Sequence, residues 1–582
     1  MANTLSTPHI DLAATPFSRR GCWLAVSYPP ADYQVAGPGL YLRSLHARPI
    51  IQRELFRLDL LRGGEVIEHT AAATPGLLTL RPGGDGSGGN DDAEVRIALE
   101  APATVRIRGR GVGLRLTAAI REGSPWPTVA YHEGPGRLAV NFRGALRRYE
   151  IVALDGPPPQ LEGDWEGEHF TRASVQIEAP AWELAIDEFL STWVDRPRAP
   201  LDEVARNAAE SCERLTGGLP EVPAELEATR ALAGYLLWSA TMSPCGQLGR
   251  EATFMSLNWM DGVWSWDNVF NALALAGADA KLAFDQMMVV AEHQDKHGAY
   301  PDYTGDAFKH YNFSKPPVQG VLMDELARHR PRWFTPARRR ALVDSIERFT
   351  RWWLEHRRYP GRRLCHYLHG NDSGWDNSTI LHKGSPLIAP DLNAFLARQC
   401  QWLSQQHEKL GAAAKAKRWA KQADQLTADL LEALWNGEQF IGIKLPEGEP
   451  VACSSLVDCM PVLLGERLPG DVAAKLASRI ETFITEHGIA TEHPHSPLYT
   501  PDGYWRGPIW GPSTMLIVLG LESIGQDDLA RSIAQRYCRT CRRSGFAENF
   551  DALSGAALRD PGYTWTASAF LMLANRLKAA GA

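Results

Sequence analysis

The 582-residue sequence lacks several features that decide function class. From Met1 to Phe17 no basic stretch leads into an apolar one, so no secretory leader is read there. No run of about 18 uninterrupted apolar residues occurs, and no helical membrane span is expected. Bulk positive charge is missing. The net charge is −7, which indicates no polyanion-binding surface and no nucleic-acid partner. The glycines between Gly83 and Gly89 have neither the Lys-Ser/Thr of a phosphate loop nor a long apolar strand before them. No dinucleotide fingerprint appears either, so no organic cofactor is expected. No calcium-type D-x-D-x-D-G loop is present, and Cys538 and Cys541 have no second pair at zinc spacing, so no metal ligand is assigned. The nine cysteines are odd in number and irregular in spacing, which leaves no disulfide framework. Together these absences point to a reducing, cytoplasmic location. Oligomeric state leaves no mark on the sequence.

Hydrophobic residues make up 44% and charged residues 22%, enough apolar material for a large core and too much for a disordered chain. Tryptophan is abundant, at 19 residues. Scattered through a core, these rings carry no message. Clustered beside carboxylates, they suggest a carbohydrate site, because an indole offers a flat apolar face and one N–H donor.

Two textures divide the chain. Up to about residue 190, short runs alternate with period two, as in Leu55–Leu60, Val105–Arg108, Leu114–Thr117, Arg148–Val152 and Ser174–Ile177. Turn clusters separate them at Gly134-Pro135-Gly136 and Gly156-Pro157-Pro158-Pro159. This predicts an antiparallel β-sandwich over residues 1–195, with a loop from about Gly83 to Asp92. Asp195–Pro200 reads as a linker, and 196–222 as linker plus first helix. Residues 201–582 then show apolar residues at three- and four-residue steps in about a dozen stretches, which fits a C-terminal (α/α)6 barrel. Thr335 before Pro336, and Asp391 before Leu392, read as helix caps.

Four loops concentrate carboxylates, aromatics and glycines. They are Asn258–Asn268, Gly370–Ser378, Gly503–Pro512 and Gly545–Asp551, the last running on to Gly555. Singly, each reads as well as a cap, a core aromatic or an ion pair. Together they supply what glycoside cleavage needs: flat faces for C–H surface, polar groups for hydroxyls, and two carboxyls on opposite sides of an anomeric carbon.

These loops resemble the signature segments of glycoside hydrolase family 63 and its trehalase-like clan G relatives. The matching residues are Trp264-Ser265-Trp266-Asp267, Ser373-Gly374-Trp375-Asp376-Asn377-Ser378, Tyr504-Trp505-Arg506-Gly507-Pro508-Ile509-Trp510 and Glu548-Asn549-Phe550-Asp551. Their order along the chain agrees with the family's, and the likeness covers roughly residues 245–580. It implies an inverting α-glycosidase with Asp376 as general acid and Glu548 as general base. It also implies a sugar site formed by Trp264, Asp267 and Trp375, walled by Tyr504, Trp505, Arg506 and Trp510. Inversion implies carboxyls about 6.5–9.5 Å apart with a water between them. The acid must hold its proton, so Asp376 is expected to lie buried against Trp375 or beside Asp372. The base must stay ionised, so Glu548 is expected in a wetter or donor-rich place, such as among its own loop's peptide N–H groups.

The chain departs from the family at Ser314-Lys315-Pro316-Pro317, where a Gln often precedes the prolines. An inward Lys315 would suit an anionic leaving group such as a glycerate; an outward one is a solvated lysine. The favoured substrate is a short α-glucoside, with mannosyl- or glucosylglycerate as the alternative. His297, His310, His366 and His369 fall in loops near the expected site. Glu492-His493-Pro494-His495 is not read as a metal motif. Lyase or phosphorylase chemistry on the same scaffold is disfavoured by the Glu548 loop, and a non-catalytic sugar-binding protein by the presence of both carboxyls.

Overall fold

A computed structural model describes residues 8–46, 53–83, 92–121 and 128–581. The expected loop between Gly83 and Asp92 lies outside the described residues, its two end residues aside. The chain divides into two units. One holds the residues up to Gly217 together with Gly234–Asp261 and Gly305–Phe308; the other holds Gly218–Ala233, Gly262–Thr304 and the chain from Lys309 onward.

The first unit contains two antiparallel sheets. One orders its strands Leu24–Ser27, Leu40–Ser44, Glu54–Arg62, Gly113–Ala118, His169–Ile177 and Gln160–Glu166, with Glu65–Ile67 also on Glu54–Arg62. The other runs Thr128–Gly134, Arg137–Phe142, Arg147–Asp155, Ala181–Phe189, Thr104–Arg110, Glu94–Glu100, Leu77–Pro82 and His69–Thr74. Each alternating run picked out in the sequence lies in one of these strands. The sheets pack through their apolar faces: Phe56 of the first meets Phe142 and Tyr149 of the second edge-on, with ring centres 5.1 and 6.5 Å apart.

The linker has no regular structure, yet it is pinned, since Arg198 pairs with Asp187 and Arg196 with Glu100. The helix Leu201–Gly218 belongs by contact to the sheets: Leu201, Val204 and Ala205 share a core with Ala98. By contact, this helix therefore groups with the sheets.

In the second unit six segments close a ring. They are Asp267–Leu275, Gln319–His329, Pro390–Lys409, Leu456–Arg467, Gly511–Ser523 and Thr564–Ala579, each packed on the next and the last on the first. Outside them lie Ala280–Ala291, Pro336–His356, Ala413–Leu434, Gly470–Glu481 and Asp527–Ser544. All of these except Leu456–Arg467 coincide with stretches of helical periodicity. Leu456–Arg467 is a 3-10 segment broken by Pro461 and by Gly465, whose φ is 57°.

The ring is held by close backbone approach and buried polar contacts. A Cβ on Gly320 would stand 2.4 Å from the Gln399 Cα, so this helix crossing requires glycine. Asn271 donates to Thr564 and accepts from the Ser568 hydroxyl, tying the first ring helix to the last. Thr335 caps its helix as expected, accepting from the Arg338 N–H. Asp391 does not cap: its helix begins at Pro390, and its carboxylate accepts from the Tyr367 hydroxyl at 2.9 Å.

Candidate active site

The signature loops lead into N-terminal ends of ring helices. The Trp264 loop enters the helix starting at Asp267, Lys315 precedes Gln319, Asp376 precedes Pro390, and the Tyr504 and Glu548 loops precede Gly511 and Thr564. This common direction gathers residues far apart in sequence at one end of the ring.

The second and third loops are joined by a two-point clamp. The Asn377 amide donates to the Gly503 carbonyl at 2.9 Å, and its oxygen accepts from the Trp505 N–H at 2.9 Å. The third and fourth loops share a β-bridge between Ile509 and Phe550. Gly374 has a φ of +70°, and a Cβ there would lie 2.5 Å from the Trp266 indole; the turn before Asp376 is thus seated directly on that ring.

Asp376 is partly exposed and lines a cleft of about 440 Å³ together with Arg506, His369, His382, Ser385 and Leu498. Asp372 is not turned toward it. That carboxylate is fully buried and accepts from the Ser314 and Leu368 N–H groups and from Arg357. The expectation of Asp376 sealed against Trp375 or beside Asp372 is therefore corrected.

Glu548 is the buried acid of the pair, only 5% exposed, and it is not on the cleft wall. Burial first, and then the negative charge of Asp560, raise its pKa to about 7. Its Oε1 accepts from the Tyr504 hydroxyl at 3.1 Å, and its own N–H donates to the Asp560 carbonyl. The wetter setting expected for the base is thus corrected, whereas a donor-rich one is found: the Tyr504 phenol and the backbone at Asp560, in the base's own loop, both hydrogen-bond the carboxyl and lower its pKa against burial.

Tyr504 links the site. Its backbone φ is +63°, a left-handed conformation uncommon for an aromatic residue. Burial, then the charges of Glu548, Asp376 and Asp267, push its pKa well up, so it remains a neutral donor. Both candidate acids therefore act on one side chain. Tyr563, which carried no signal in the sequence, feels Glu548 and Asp267 as well.

Lys315 points inward. Its ammonium is buried, donates to the Asn371 carbonyl at 2.7 Å and lies 3.2 Å from Asp302. Burial alone would lower its pKa; Asp302, Asp376 and Asp267 outweigh that and raise it. Asp302 was not anticipated, since nothing but its charge marks it in the sequence. Asp267 is 3% exposed and its Oδ2 has no hydrogen-bond partner. Burial drives its pKa well up, with Lys315 opposing.

The aromatic residues divide into two groups. Trp264 is partly exposed and stacks on Tyr303 at 4.7 Å, which stacks on His310 at 4.8 Å. Trp375, Trp505 and Trp510 are buried, each 1% exposed or less. Trp505 stacks on Trp510 at 4.0 Å and meets Trp375 at 4.8 Å, while Trp266 and Trp565 pack against this group. None of these three lines the cleft that holds Asp376.

Of the loop histidines, His369 lines the cleft and His310 ends the Trp264 stack. His297 lies on the surface against His356, and His366 is buried. Glu492 is fully buried and accepts from Thr379 and Ser496, so the Glu492–His495 segment is structural. Cys538 and Cys541 are buried free thiols on one helix. No helix among the described residues is long and apolar enough to cross a membrane.

The profile of the mannosylglycerate hydrolase MGH1-like glycoside hydrolase domain matches residues 260–566. A mannosylglycerate hydrolase from Thermus thermophilus is 30% identical over 142 residues, which is 24% of this chain and 34% of that protein; the chain thus spans about a third of this curated relative. The crystal structure of a family 63 mannosylglycerate hydrolase from Thermus thermophilus in complex with glucose superposes with a TM-score of 0.52 at 21% identity, covering 59% of this chain and 99% of that one. A bacterial glucoamylase complexed with acarbose superposes over 99% of this chain and 96% of its own, with a TM-score of 0.62 at 10% identity. That likeness shows the fold, antiparallel β-sheets followed by an (α/α)6 barrel. The chain belongs to the mannosylglycerate hydrolase MGH1-like glycoside hydrolases of family 63.

Proposed function

We propose that this chain is an inverting α-glycosidase that removes a terminal glucose from a short α-linked substrate, with Asp376 as general acid and Glu548 as general base. The observation that carries the reading is the shared tyrosine: Tyr504 bonds Glu548 and feels Asp376 and Asp267, so acid, base and a buried hydroxyl-binding carboxyl belong to one constellation. In a single displacement Asp376 gives its proton to the glycosidic oxygen as the C–O bond breaks. Glu548 takes a proton from the water that attacks the opposite face. Asp376 ends ionised and Glu548 ends protonated, and exchange with solvent resets both. A base with a pKa of about 7 is matched to work near neutral pH.

The unpartnered Asp267 Oδ2 is assigned to a sugar hydroxyl, and the partly exposed Trp264 face to the sugar's C–H surface. Tyr504 orients the base. Trp375, Trp505 and Trp510, buried and packed on one another, hold the second and third loops together.

A second reading, hydrolysis of a glycosylglycerate, is supported by the mannosylglycerate hydrolase relatives and by Arg506 on the cleft. Lys315 does not favour it, because its ammonium is already engaged by Asp302 and Asn371. The test is a panel of α-linked disaccharides beside glucosyl- and mannosylglycerate, with sugar release followed by NMR. Faster turnover of a disaccharide supports the first reading and faster turnover of a glycerate the second. Turnover of neither overturns both.

A further inference from the structure

Two residues in a disfavoured backbone conformation meet beside Glu548. Among the described residues only Leu146, Tyr504 and Arg559 have a left-handed φ without being glycine. Tyr504 stands at +63° and Arg559 at +66°, and the Arg559 guanidinium carbon lies over the Tyr504 ring, 5.8 Å from its centre. This conformation costs any residue with a Cβ and persists only where its surroundings over-determine it. Glycine would adopt the turn at 559 without that cost. The arginine there is therefore to be understood from what its side chain touches.

The turn ties the base to its partner loop. Arg559 follows the short strand Ala557–Leu558. The next residue, Asp560, is fully buried, and its carbonyl accepts from the Glu548 N–H at 2.7 Å. The guanidinium reaches instead to the third loop, where it pairs with the Asp502 carboxylate at 2.8 Å and donates to the Asp502 carbonyl at 3.2 Å. Asp502 stands two residues before Tyr504. The Tyr504 ring also meets Trp510 nearly at right angles, with centres 4.9 Å apart, and the Trp510 indole donates to the Tyr504 carbonyl. An indole and a cation thus fix the phenol that donates to Glu548. A cation over an aromatic face draws on its π electrons, which makes the phenolic hydroxyl a better donor. The same charge acts directly on Glu548, favouring its ionised form against burial.

We propose that Arg559 is a positioning residue for the base: anchored on Asp502, it holds the Tyr504 ring so that the hydroxyl meets Glu548, and its charge keeps that carboxyl ready to take a proton. The proposal rests on the reading of Glu548 as base. Arg559 is not on the wall of the cleft and acts through Tyr504.

The test follows kcat and KM for α-glucosyl fluoride against pH in wild type, Arg559→Gln, Arg559→Lys, Arg559→Gly and Glu548→Gln. Fluoride leaves with little help from an acid, so its release reports on the base. Arg559→Gln keeps a long side chain and loses the charge. Its kcat at neutral pH should fall about two- to fivefold, the size of an exposed cation–π contact, with KM little changed. Its acidic limb should move to higher pH, because the carboxyl is harder to ionise without the cation. Arg559→Lys should recover most of the rate and return the limb. Arg559→Gly should lose rate like Arg559→Gln, yet unfold in urea at no lower midpoint than wild type, since glycine relaxes the turn. A wild-type profile for Arg559→Gln, a loss of rate with an unmoved limb, or Arg559→Lys no better than Arg559→Gln would overturn the positioning role. If those results stand beside an inactive Glu548→Gln, the base reading survives alone. Wild-type turnover by Glu548→Gln, or no turnover by wild type, would refute the base reading and this role with it.

Discussion

The Tyr504 hydroxyl donates to Glu548 Oε1 at 3.1 Å from a backbone held in the left-handed region. The bond crosses from the third signature loop to the fourth. It stabilises the charged form of a carboxyl that burial pushes toward neutrality. Tyr504→Phe removes this donor and leaves the ring. A hydrogen bond to a charged group contributes about 1.5–3 kcal/mol, so kcat/KM at neutral pH should fall roughly ten- to a hundredfold. The sign for pH is fixed by the role: a base works only when ionised, so wild-type activity should fall as pH drops through about 7. Without Tyr504's proton the carboxyl is harder to ionise, and the acidic limb should move to higher pH. A pH profile of kcat/KM for both proteins checks this.

The two carboxyls can be told apart by leaving group. Fluoride departs with little need of a proton, whereas a sugar alkoxide needs one. Asp376→Asn should therefore lose at least about a thousandfold on an α-disaccharide yet keep much of its rate on α-glucosyl fluoride. Glu548→Gln should lose on both, because the water still requires a base. Steady-state kinetics on the two substrates decide the assignment, and the reverse pattern would exchange the roles.

Lys315 and Asp302 form a buried pair at 3.2 Å. Lys315→Met leaves the Asp302 carboxylate, and Asp267 near it, without a cation, and should cost about 3–5 kcal/mol of stability. Lys315→Met combined with Asp302→Asn should recover part of that loss, because the stranded charge is gone. Urea unfolding of the two single variants and the double variant measures the coupling.

Asp391 is wholly buried, and burial raises its pKa from 3.8 to about 7, with Tyr367 as partner. Because this acid's folded value lies above its unfolded one, folding takes up a proton at intermediate pH. Stability from this site is lost as pH rises from about 4 to about 7, to a ceiling on the order of 4 kcal/mol. Asp391→Asn should abolish that dependence and be relatively more stable at pH 8 than at pH 5. Denaturation midpoints at the two pH values report it.

The alternating strands and ten of the helices that surround or build the ring were readable from their apolar spacing, which is clearest where one face meets water, as in Asp527–Ser544, and persists in the wholly buried Asp267–Leu275. Leu456–Arg467 was not, although it is a full member of the ring. It is a 3-10 segment, buried from Leu456 to Gly465 with Asp458 inside it, and it carries Pro461, so it shows no helical period and carries a helix breaker. The four loops stood out because binding and cutting a sugar requires an unusual mixture of indoles, carboxyls and glycines. Asp302 and Tyr563 are ordinary loop residues whose roles arise only from what folds beside them. The settings of the two acids were also illegible. Glu548 interacts with Tyr504 and Asp560, and Asp372 is taken up by Ser314, Leu368 and Arg357 instead of facing Asp376. Neither pairing has a fixed spacing along the chain.

The central claim is that a water activated by Glu548 attacks while Asp376 protonates the opposite side. The most direct measurement is proton NMR of the first product formed from an α-linked glucoside, recorded before mutarotation. The account predicts β-glucose first, with the α-anomer appearing only as the two equilibrate. Initial appearance of α-glucose would mean retention, and would contradict it.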